Sequence, residues 1–428
     1  MGESVLTTMR DPFTWVDGRL HCDAVSAEQL VAEYGTPLYV YSETAIADRY
    51  RAFAEAFADV EPLIAYSVKA NGNLSVLRLL AGLGAGADIV SGGELHRALL
   101  AGVPADRILF SGVGKTVAEM AAALDAGIFA FNVESEGELR LLSGLAHTMG
   151  ATARVALRVN PDVETATPHH YTATGHKATK FGIAYEDAAA LYRVAASLPG
   201  IRVTGVDVHI GSQIVDVEPY CLAVSRVLDL VGLLRGEGID LEFIDIGGGF
   251  GVSYDESAGP PPSLFADGLV PLLAGSGLRV VAEPGRYIVG PGGVLLTRAL
   301  YVKRMTGKTF VITDAGMNDL LRPSHYDSYH RVDPVVRRPD RPDMIVDIVG
   351  PICESGDFLA LDRALPRTEP GELLAVRTAG AYGFSMASTY NARPRPAEVM
   401  VAGGQHRLIR RREQHDDLVR GEVEFLDG

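Results

Sequence analysis

The chain has 428 residues, of which 47% are hydrophobic and 22% charged, and its formal net charge is −15. Because one hydrophobic core rarely serves so long a chain, we expect two domains in an ordinary globular protein. The negative charge argues against nucleic-acid or anionic-membrane partners, and the lack of an apolar run of spanning length argues against membrane insertion.

The N-terminal two thirds of the chain predict strands that alternate with helices. Residues 1–45 hold two short β-like pieces, one of them Pro37–Tyr41. From about residue 46, short apolar runs alternate with stretches rich in Ala and Leu. The predicted strands are Leu63–Ser67, Gly86–Val90, Arg107–Ser111, Ile128–Val133, Arg154–Val159, Val203–Ile210, Leu241–Ile246 and Arg279–Ala282. The predicted helices include Gly93–Ala101, Thr116–Ala126, Ser135–Met149, Tyr185–Ser197 and Tyr220–Gly236.

Eight strands with intervening helices over about 240 residues predict a TIM-like (β/α)8 barrel, here assigned to residues 46–286. A doubly wound sheet is the alternative. Polar and glycine-rich clusters follow one predicted strand after another, as at Lys69-Ala70-Asn71 and Gly247-Gly248-Gly249. In a barrel all such clusters lie at the C-terminal face, where active sites form.

The rest of the chain predicts a second, mostly antiparallel β domain. This domain is assigned to residues 287–428, and the N-terminal residues 1–45 are expected to join it, which makes it discontinuous. Residues 327–343, with several Arg, Pro and Asp, are predicted to form a solvent-exposed loop. The predicted strands are Tyr287–Val289, Gly293–Val302, Thr309–Thr313, Met344–Val349 and Glu372–Arg377.

The central candidate residue is Lys69, which follows the apolar run Pro62–Tyr66. The chain has only six lysines, so a lysine kept at a strand end suggests a need for its amine. A desolvated lysine there would have a lowered pKa, and its neutral amine could form a Schiff base. The alternative is a strand-end lysine whose amine extends to solvent.

Three other strand ends carry candidate groups. The run Gly247-Gly248-Gly249 could let backbone amides approach a phosphate, although it matches neither a P-loop nor GxGxxG; a tight turn is the alternative. Glu283 could keep a pyridine ring protonated, or form an ordinary surface pair with Arg286. His209 could stack on a planar cofactor while Ser212 binds a phosphate, or it could be a structural histidine.

Cys353 lies in a polar loop, Gly350–Asp357, and is therefore not a core residue. It could donate a proton to a carbanion, and the alternative is an incidental loop thiol. Cys22, Cys221 and Cys353 are widely spaced and form no CxxC pair, which argues against a disulfide framework or a zinc site. Because the N-terminal stretch also shows no signal-peptide pattern, we expect a cytoplasmic protein.

Together these motifs resemble the fold-type III pyridoxal-phosphate (PLP) decarboxylases, and most of all the meso-diaminopimelate decarboxylases. The resemblance covers nearly the whole chain, from Thr36 to Glu398. The motifs follow the family's order: Tyr66-Ser67-Val68-Lys69-Ala70-Asn71, His209-Ile210-Gly211-Ser212-Gln213, Gly247-Gly248-Gly249-Phe250-Gly251, Glu283-Pro284-Gly285-Arg286, Cys353-Glu354-Ser355 and Gly380-Ala381-Tyr382-Gly383.

The resemblance implies that Lys69 holds PLP as a Schiff base, that Glu283 pairs with the pyridine nitrogen and that His209 stacks on the ring. It also implies that Asp88 binds the cofactor and that Cys353 protonates the carbanion left by carbon dioxide. In the family the cysteine loop comes from the partner subunit, so a homodimer with shared active sites follows. The residues implied around the cofactor phosphate are Ser212, Gly248, Gly249, Gly285, Arg286 and Tyr382.

The substrate implied by the resemblance is meso-2,6-diaminopimelate, converted to L-lysine and carbon dioxide in the last step of lysine biosynthesis. A zwitterionic end needs a guanidinium for its carboxylate and a carboxylate for its ammonium group. Ornithine or lysine would have no second carboxylate to bind. The residues implied to hold the far amino-acid end are Arg286, Arg322, Tyr326, Glu354 and Tyr382.

Two positions depart from the family's pattern and bear on the substrate. His325 stands where leucine is common, and Thr389 where asparagine is common. One alternative is therefore a related PLP decarboxylase for another amino acid or a carrier-bound acyl substrate in secondary metabolism. A non-catalytic regulatory homologue would be expected to lack Lys69 or Cys353, and both are present. A relative of alanine racemase would not be expected to carry the Cys353-Glu354-Ser355 loop.

Overall fold

The computed structural model describes residues 10–163, 180–257 and 259–426. The chain divides into two compact units. The barrel unit comprises Tyr50–Val252 and Ala258–Tyr287, and the β unit comprises Met1–Arg49, Ser253–Ser257 and Ile288–Gly428. The predicted domains also include residues 1–9 and 164–179, which lie outside the described residues.

Eight parallel strands form a closed barrel in the barrel unit. They are β1 (Leu63–Ser67), β2 (Gly86–Ile89), β3 (Ile108–Phe110), β4 (Ala130–Val133), β5 (Ala153–Asn160), β6 (Ile201–Asp207), β7 (Phe243–Asp245) and β8 (Arg279–Ala282). Each strand pairs with the next, and β8 pairs with β1, with Val281 opposite Leu63. The predicted (β/α)8 barrel is confirmed. The doubly wound alternative is wrong, because an open sheet would leave two strand edges unpaired.

Local sequence signals set the bounds of several barrel helices. Ser91, Thr116 and Ser135 each accept a backbone amide hydrogen bond at the start of a helix, and Gly102, Gly127 and Gly150 end these helices at positive φ. No helix in the described residues is long and apolar enough to cross a membrane. The helices are Glu43–Ala56, Leu74–Gly82, Gly92–Ala101, Val117–Ala126, Glu136–Met149, Tyr185–Ser197, Glu218–Gly236 and Pro262–Ala274.

The barrel interior changes from apolar to polar along the strands. Its apolar layer is a cluster of eight buried residues: Leu63, Ala65, Leu109, Phe129, Ala130, Ala156, Phe243 and Val281. The Phe243 ring fills the space next to Gly205, where a Cβ would lie 2.4 Å from the ring carbons. The last residues of β1, β6 and β7 are instead Ser67, Asp207 and Asp245. The apolar layer therefore supports a polar layer at the C-terminal face.

The β unit is built on a nine-stranded, mostly antiparallel sheet, and this prediction is confirmed. Its strands are Leu38–Ser42, Gly293–Met305, Lys308–Thr313, Val332–Pro334, Asp343–Val349, Phe358–Pro366, Leu373–Val376, Ala397–Ala402 and Gln405–Arg410. Two neighbouring pairs in the sheet are parallel. A separate three-stranded sheet (Phe13–Val16, Arg19–Cys22, Val25–Ser26) precedes the helix Ala27–Tyr34.

Two local predictions for the β-rich region are corrected by the structure. The predicted strand Tyr287–Val289 is wrong, because Arg286–Val289 form one helical turn; a short apolar run does not distinguish a strand from a helix. The predicted exposed loop 327–343 is wrong in part. It contains the strand Val332–Pro334, which pairs with the distant Leu373–Val376, and long-range pairing of this kind is invisible in local sequence.

Candidate active site

Lys69 lies in a short helical turn directly after β1, where its Nζ is 2.6 Å from Oδ2 of Asp88. The same carboxylate oxygen accepts a hydrogen bond from the Ser67 hydroxyl at 2.7 Å. The Lys69 side chain is 33% exposed, whereas that of Asp88 is fully buried. The buried carboxylate of Asp88 therefore faces the amine, and the lowered pKa of Lys69 stays a prediction. The second oxygen of Asp88, Oδ1, is buried without a hydrogen-bond partner among the described residues.

Glu283 follows β8 and is 3% exposed. Its Oε1 accepts a hydrogen bond from the Ser111 hydroxyl at 3.3 Å. The amide of Asn132 donates both to that hydroxyl and to Asp245, at 3.1 and 3.3 Å. Burial raises the pKa of Glu283 well above its ordinary value, and Asp245 and Asp88 add to the rise. The raised pKa of Glu283 favours its protonated carboxyl, which could share a proton with a ring nitrogen.

The ring of His209, which follows β6, is held in one orientation and in one tautomer. Its Nδ1 accepts the Gly248 N–H at 3.1 Å, so the ring hydrogen is on Nε2. Loss of hydration lowers the pKa of His209 well below its ordinary value, and Arg158 and Lys69 act in the same direction. The imidazole is therefore a neutral flat ring, as stacking on a planar cofactor requires.

The glycine-rich turn after β7 meets the loops that follow β6 and β8. A Cβ on Gly248 would lie 2.3 Å from the backbone oxygen of Glu283, and one on Gly249 would lie 2.2 Å from that of Gly211. Gly249 also has a φ of 93°, which disfavours other residues. Only glycine fits at both positions, so these turns form a cradle of closely approaching backbone.

Two side chains suited to binding an anion lie at this glycine cradle. Nη2 of Arg286 donates to the Ser212 hydroxyl at 2.9 Å, and Arg286 is 8% exposed. Arg286 directly follows Gly285, where a Cβ would lie 2.8 Å from that of Ser67 on β1. A guanidinium and a hydroxyl beside tight glycine turns are suited to a phosphate group. With Lys69, they fit pyridoxal phosphate.

The other predicted site residues belong to the β unit. Arg322 and Tyr326 lie on the short helix Arg322–Tyr326. Nη1 of Arg322 donates to Nε2 of His330 at 2.9 Å, so His330 is neutral and its Nδ1 donates to the Arg377 backbone oxygen at 2.8 Å. The guanidinium also lies 4.6 Å from the centre of the Tyr254 ring. These contacts hold the buried Arg322 in one orientation.

Cys353 and Glu354 form part of an exposed tip in the β unit. The Cys353 thiol is free, and its N–H donates to Oδ1 of Asn391 at 2.9 Å. Oε1 of Glu354 accepts from the Tyr390 hydroxyl at 2.5 Å. Tyr382 has a φ of 55°, an uncommon conformation for a bulky residue and one that often marks a functional position.

Several residues next to the site were not assigned roles from the sequence. Ser111, Asn132 and Asp245 fall at or near the ends of predicted strands, and that placement was the available signal. His330 and Tyr254 gave no local signal, because their contacts with Arg322 join separate segments of the chain.

Glu94, in the first turn of the helix after β2, has a carboxyl group whose burial makes the free energy of unfolding depend on pH. Burial raises the pKa of Glu94 to about 7, although the Val90 N–H bonded to its carboxylate acts in the opposite direction. An unfolded glutamate titrates near about 4.3, so between these values the folded chain binds the extra proton. The contribution of Glu94 to the free energy of unfolding is therefore full below about pH 4.3 and is lost as the pH rises to about 7.

We expect Glu94→Gln to remove this dependence. In urea unfolding at pH 4.5 and 7.5, the wild-type chain should lose about 3 kcal/mol more stability on going to the higher pH than the variant does. The variant serves as the matched control, because the other titrating groups cancel in the difference. Equal losses in the two proteins would contradict the assignment.

Residues 43–290 match the pyridoxal-binding domain of the pyridoxal-dependent decarboxylases. The match takes in more than half of the chain and all eight barrel strands. A (β/α)8 barrel with Lys69, His209 and Glu283 at its strand ends thus defines a pyridoxal-dependent decarboxylase, a carboxy-lyase whose cofactor is pyridoxal phosphate, as predicted.

Comparison with individual relatives identifies the family within the pyridoxal-dependent decarboxylases. The chain is 49% identical over 404 residues to the diaminopimelate decarboxylase of Aquifex aeolicus, covering 94% of this chain and 95% of the relative. It is 49% identical over 407 residues to that of Neisseria meningitidis serogroup A, covering 95% and 100%. The crystal structure of Helicobacter pylori diaminopimelate decarboxylase complexed with L-lysine gives a TM-score of 0.89 at 42% identity, covering 93% and 100%. The chain belongs to the diaminopimelate decarboxylase family.

Proposed function

We propose that the enzyme converts meso-2,6-diaminopimelate to L-lysine and carbon dioxide, the last step of lysine biosynthesis. The observation that carries this proposal is that the β unit supplies groups of both charges. Arg322 is buried and oriented by His330, and Glu354 presents a carboxylate on an exposed tip. A guanidinium for the carboxylate and a carboxylate for the ammonium group are what a second amino-acid end requires.

In the barrel unit, we assign Lys69 to hold the cofactor, with Asp88 orienting its amine. When bound, pyridoxal phosphate supplies an electron sink for the pair left by departing carbon dioxide. Glu283 would hold a proton at the ring nitrogen, and the neutral His209 ring would lie against the cofactor ring. The groups assigned to the phosphate are Ser212, Gly248, Gly249, Gly285, Arg286 and Tyr382.

In the β unit, we assign Cys353 to deliver a proton to the carbon that loses carbon dioxide. The assigned contacts to the far amino-acid end come from Arg286, Arg322, Tyr326, Glu354 and Tyr382. Burial, the hydrogen bond to His330 and the Tyr254 ring keep Arg322 fixed before substrate arrives, so little ordering remains to be done on binding. Retention of the far end through the reaction leaves L-lysine as the product.

We further propose a homodimer in which Cys353 of the partner subunit completes each barrel site. The exposed tip that carries Cys353 and Glu354 supports this assembly, because both groups reach outward from their own unit. All three cysteines are free, which is in keeping with a reducing cytoplasm as the place of action.

The test is a carbon dioxide release assay that compares meso-diaminopimelate with L-lysine, L-ornithine and L-arginine. We expect kcat/KM for diaminopimelate to exceed that for the others by at least about 100-fold, because their far ends leave Arg322 without a carboxylate. Arg322→Lys keeps the charge but loses the two-pronged geometry, and should reduce this preference. Comparable rates on ornithine or lysine would refute the assigned substrate.

A further inference from the structure

Asp357 lies at the base of the tip that carries Cys353 and Glu354. Residues 353–356 are exposed, whereas the residues on either side, Ile352 and Asp357, are 6% and 4% exposed. Asp357 belongs to none of the groups assigned above to cofactor or substrate. A buried carboxylate beside an exposed functional tip therefore needs its own explanation.

The two oxygens of the Asp357 carboxylate bind two different segments. Oδ1 accepts the Met317 N–H and Oδ2 accepts the Ile352 N–H, both at 2.6 Å. Ile352 directly precedes Cys353, whereas Met317 lies in the segment that leads into the Arg322 helix. One side chain thus ties the cysteine loop to the arginine segment.

Close backbone approach reinforces this tie. A Cβ on Gly350 would lie 2.3 Å from the Cα of Gly316 and 2.6 Å from each Asp357 oxygen. A Cβ on Gly316 would lie 2.6 Å from Oδ1 of Asp357. The two segments are therefore in contact, and glycine at both positions leaves just enough room for the carboxylate between them.

A second tether joins the same two segments nearer the tip. The Ser324 hydroxyl, on the Arg322 helix, donates to the Gly356 backbone oxygen at 2.5 Å. We name the Asp357 carboxylate and the Ser324 hydroxyl together the clasp. Both of its members connect the arginine helix or its approach to the loop of Cys353.

We propose that Asp357 is a positioning residue that fixes the Cys353 loop against the Arg322 segment and so places Cys353 for proton delivery. This inference rests on the proposed roles of Arg322 and Cys353. The N–H groups of Met317 and Ile352 each need an acceptor, and a carboxylate offers one oxygen to each of them. An asparagine would set its NH2 group against one of the donors, so the clasp would open on one side.

The test uses the holoenzyme and the Asp357→Asn variant, with Asp362→Asn as a control for loss of an exposed acid. We expect kcat on meso-diaminopimelate to fall by 10- to 100-fold in Asp357→Asn, with cofactor content unchanged, and to stay unchanged in Asp362→Asn. Since Cys22 is buried and Cys221 half-buried, alkylation by iodoacetamide reports mainly on Cys353. Its rate should rise several-fold in Asp357→Asn.

Placement of Cys353 is also read from protection by the product. L-Lysine retains the far amino-acid end, so it should slow alkylation of Cys353 in the wild type and do so several-fold less in Asp357→Asn. Ser324→Ala, which removes only the half-buried tether, should shift both readouts in the same direction by a smaller factor. It therefore tests the clasp even if Asp357→Asn does not fold.

The outcomes distinguish failure of the clasp proposal from failure of the proposed function. The clasp would be overturned if Asp357→Asn showed the alkylation rate and the lysine protection of the wild type. If Asp357→Asn does not fold, the same result in Ser324→Ala would overturn it. Either result would leave the proposed function intact. A wild-type enzyme inactive on diaminopimelate would overturn the function instead, and alkylation rates without lysine would still report on whether Asp357 holds the loop.

Discussion

Lys69→Arg should lose the visible absorbance band of lysine-linked cofactor and reduce decarboxylation on the order of 10⁴-fold. Arginine retains the positive charge that faces Asp88, which is fully buried and 2.6 Å from the wild-type amine. Its guanidinium, however, stays protonated and offers no free amine. The substitution therefore separates the covalent role of Lys69 from its electrostatic one.

Lys69→Ala should have the same spectral effect and an additional cost in stability. It removes the amine that faces the buried carboxylate of Asp88, so the free energy of unfolding should fall. Lys303→Ala, at an exposed lysine of the β unit, is the matched control and should keep the band. Absorbance and urea unfolding measure the two effects. A band that persists in Lys69→Arg would show that another amine holds the cofactor.

Cys353→Ala should reduce kcat by about 10²–10⁴-fold while leaving the cofactor band intact. The substituted group is an exposed thiol on a loop of the β unit, so its removal disturbs no core. Cys221→Ala, at a half-buried cysteine on a barrel helix, is the control and should keep near wild-type activity. Full activity in Cys353→Ala would rule the thiol out as proton donor.

Mixing the two inactive proteins tests whether subunits share sites. If Cys353 of the partner subunit serves the Lys69 site, a mixed dimer of Lys69→Arg and Cys353→Ala has one intact site and one doubly deficient site. Random exchange makes half of the dimers mixed, so activity should return to roughly a quarter of wild type. Verified mixed dimers without recovered activity would contradict the shared site.

Sequence reasoning located the barrel because its signals are local. The strands of the barrel appear as short apolar runs, and the Ser, Thr and Gly residues that start and end its helices are adjacent to them in the chain. The same logic failed at Tyr287–Val289, since a short apolar run suits a strand or a helical turn equally well. It failed again at Val332–Pro334, whose strand partner lies about forty residues away.

At the site, the residue types were readable in the sequence, but their chemical states were not. The order of the motifs was enough to place Lys69, His209 and Glu283 in one family of enzymes. The ion pair of Lys69 with Asp88, the raised pKa of Glu283 and the neutral ring of His209 arise from groups on other strands. Parallel strand ends bring these groups together only after the barrel has closed.

The linear order of residues was sufficient for the alternation of strands and helices and for the family, because both depend on neighbours in the chain. Folding was needed to orient Arg322 through His330 and to anchor the Cys353 loop through Asp357. Those contacts join segments distant from one another or separated by turns. Their energies depend on burial and on hydrogen-bond geometry, and neither exists until the chain is compact.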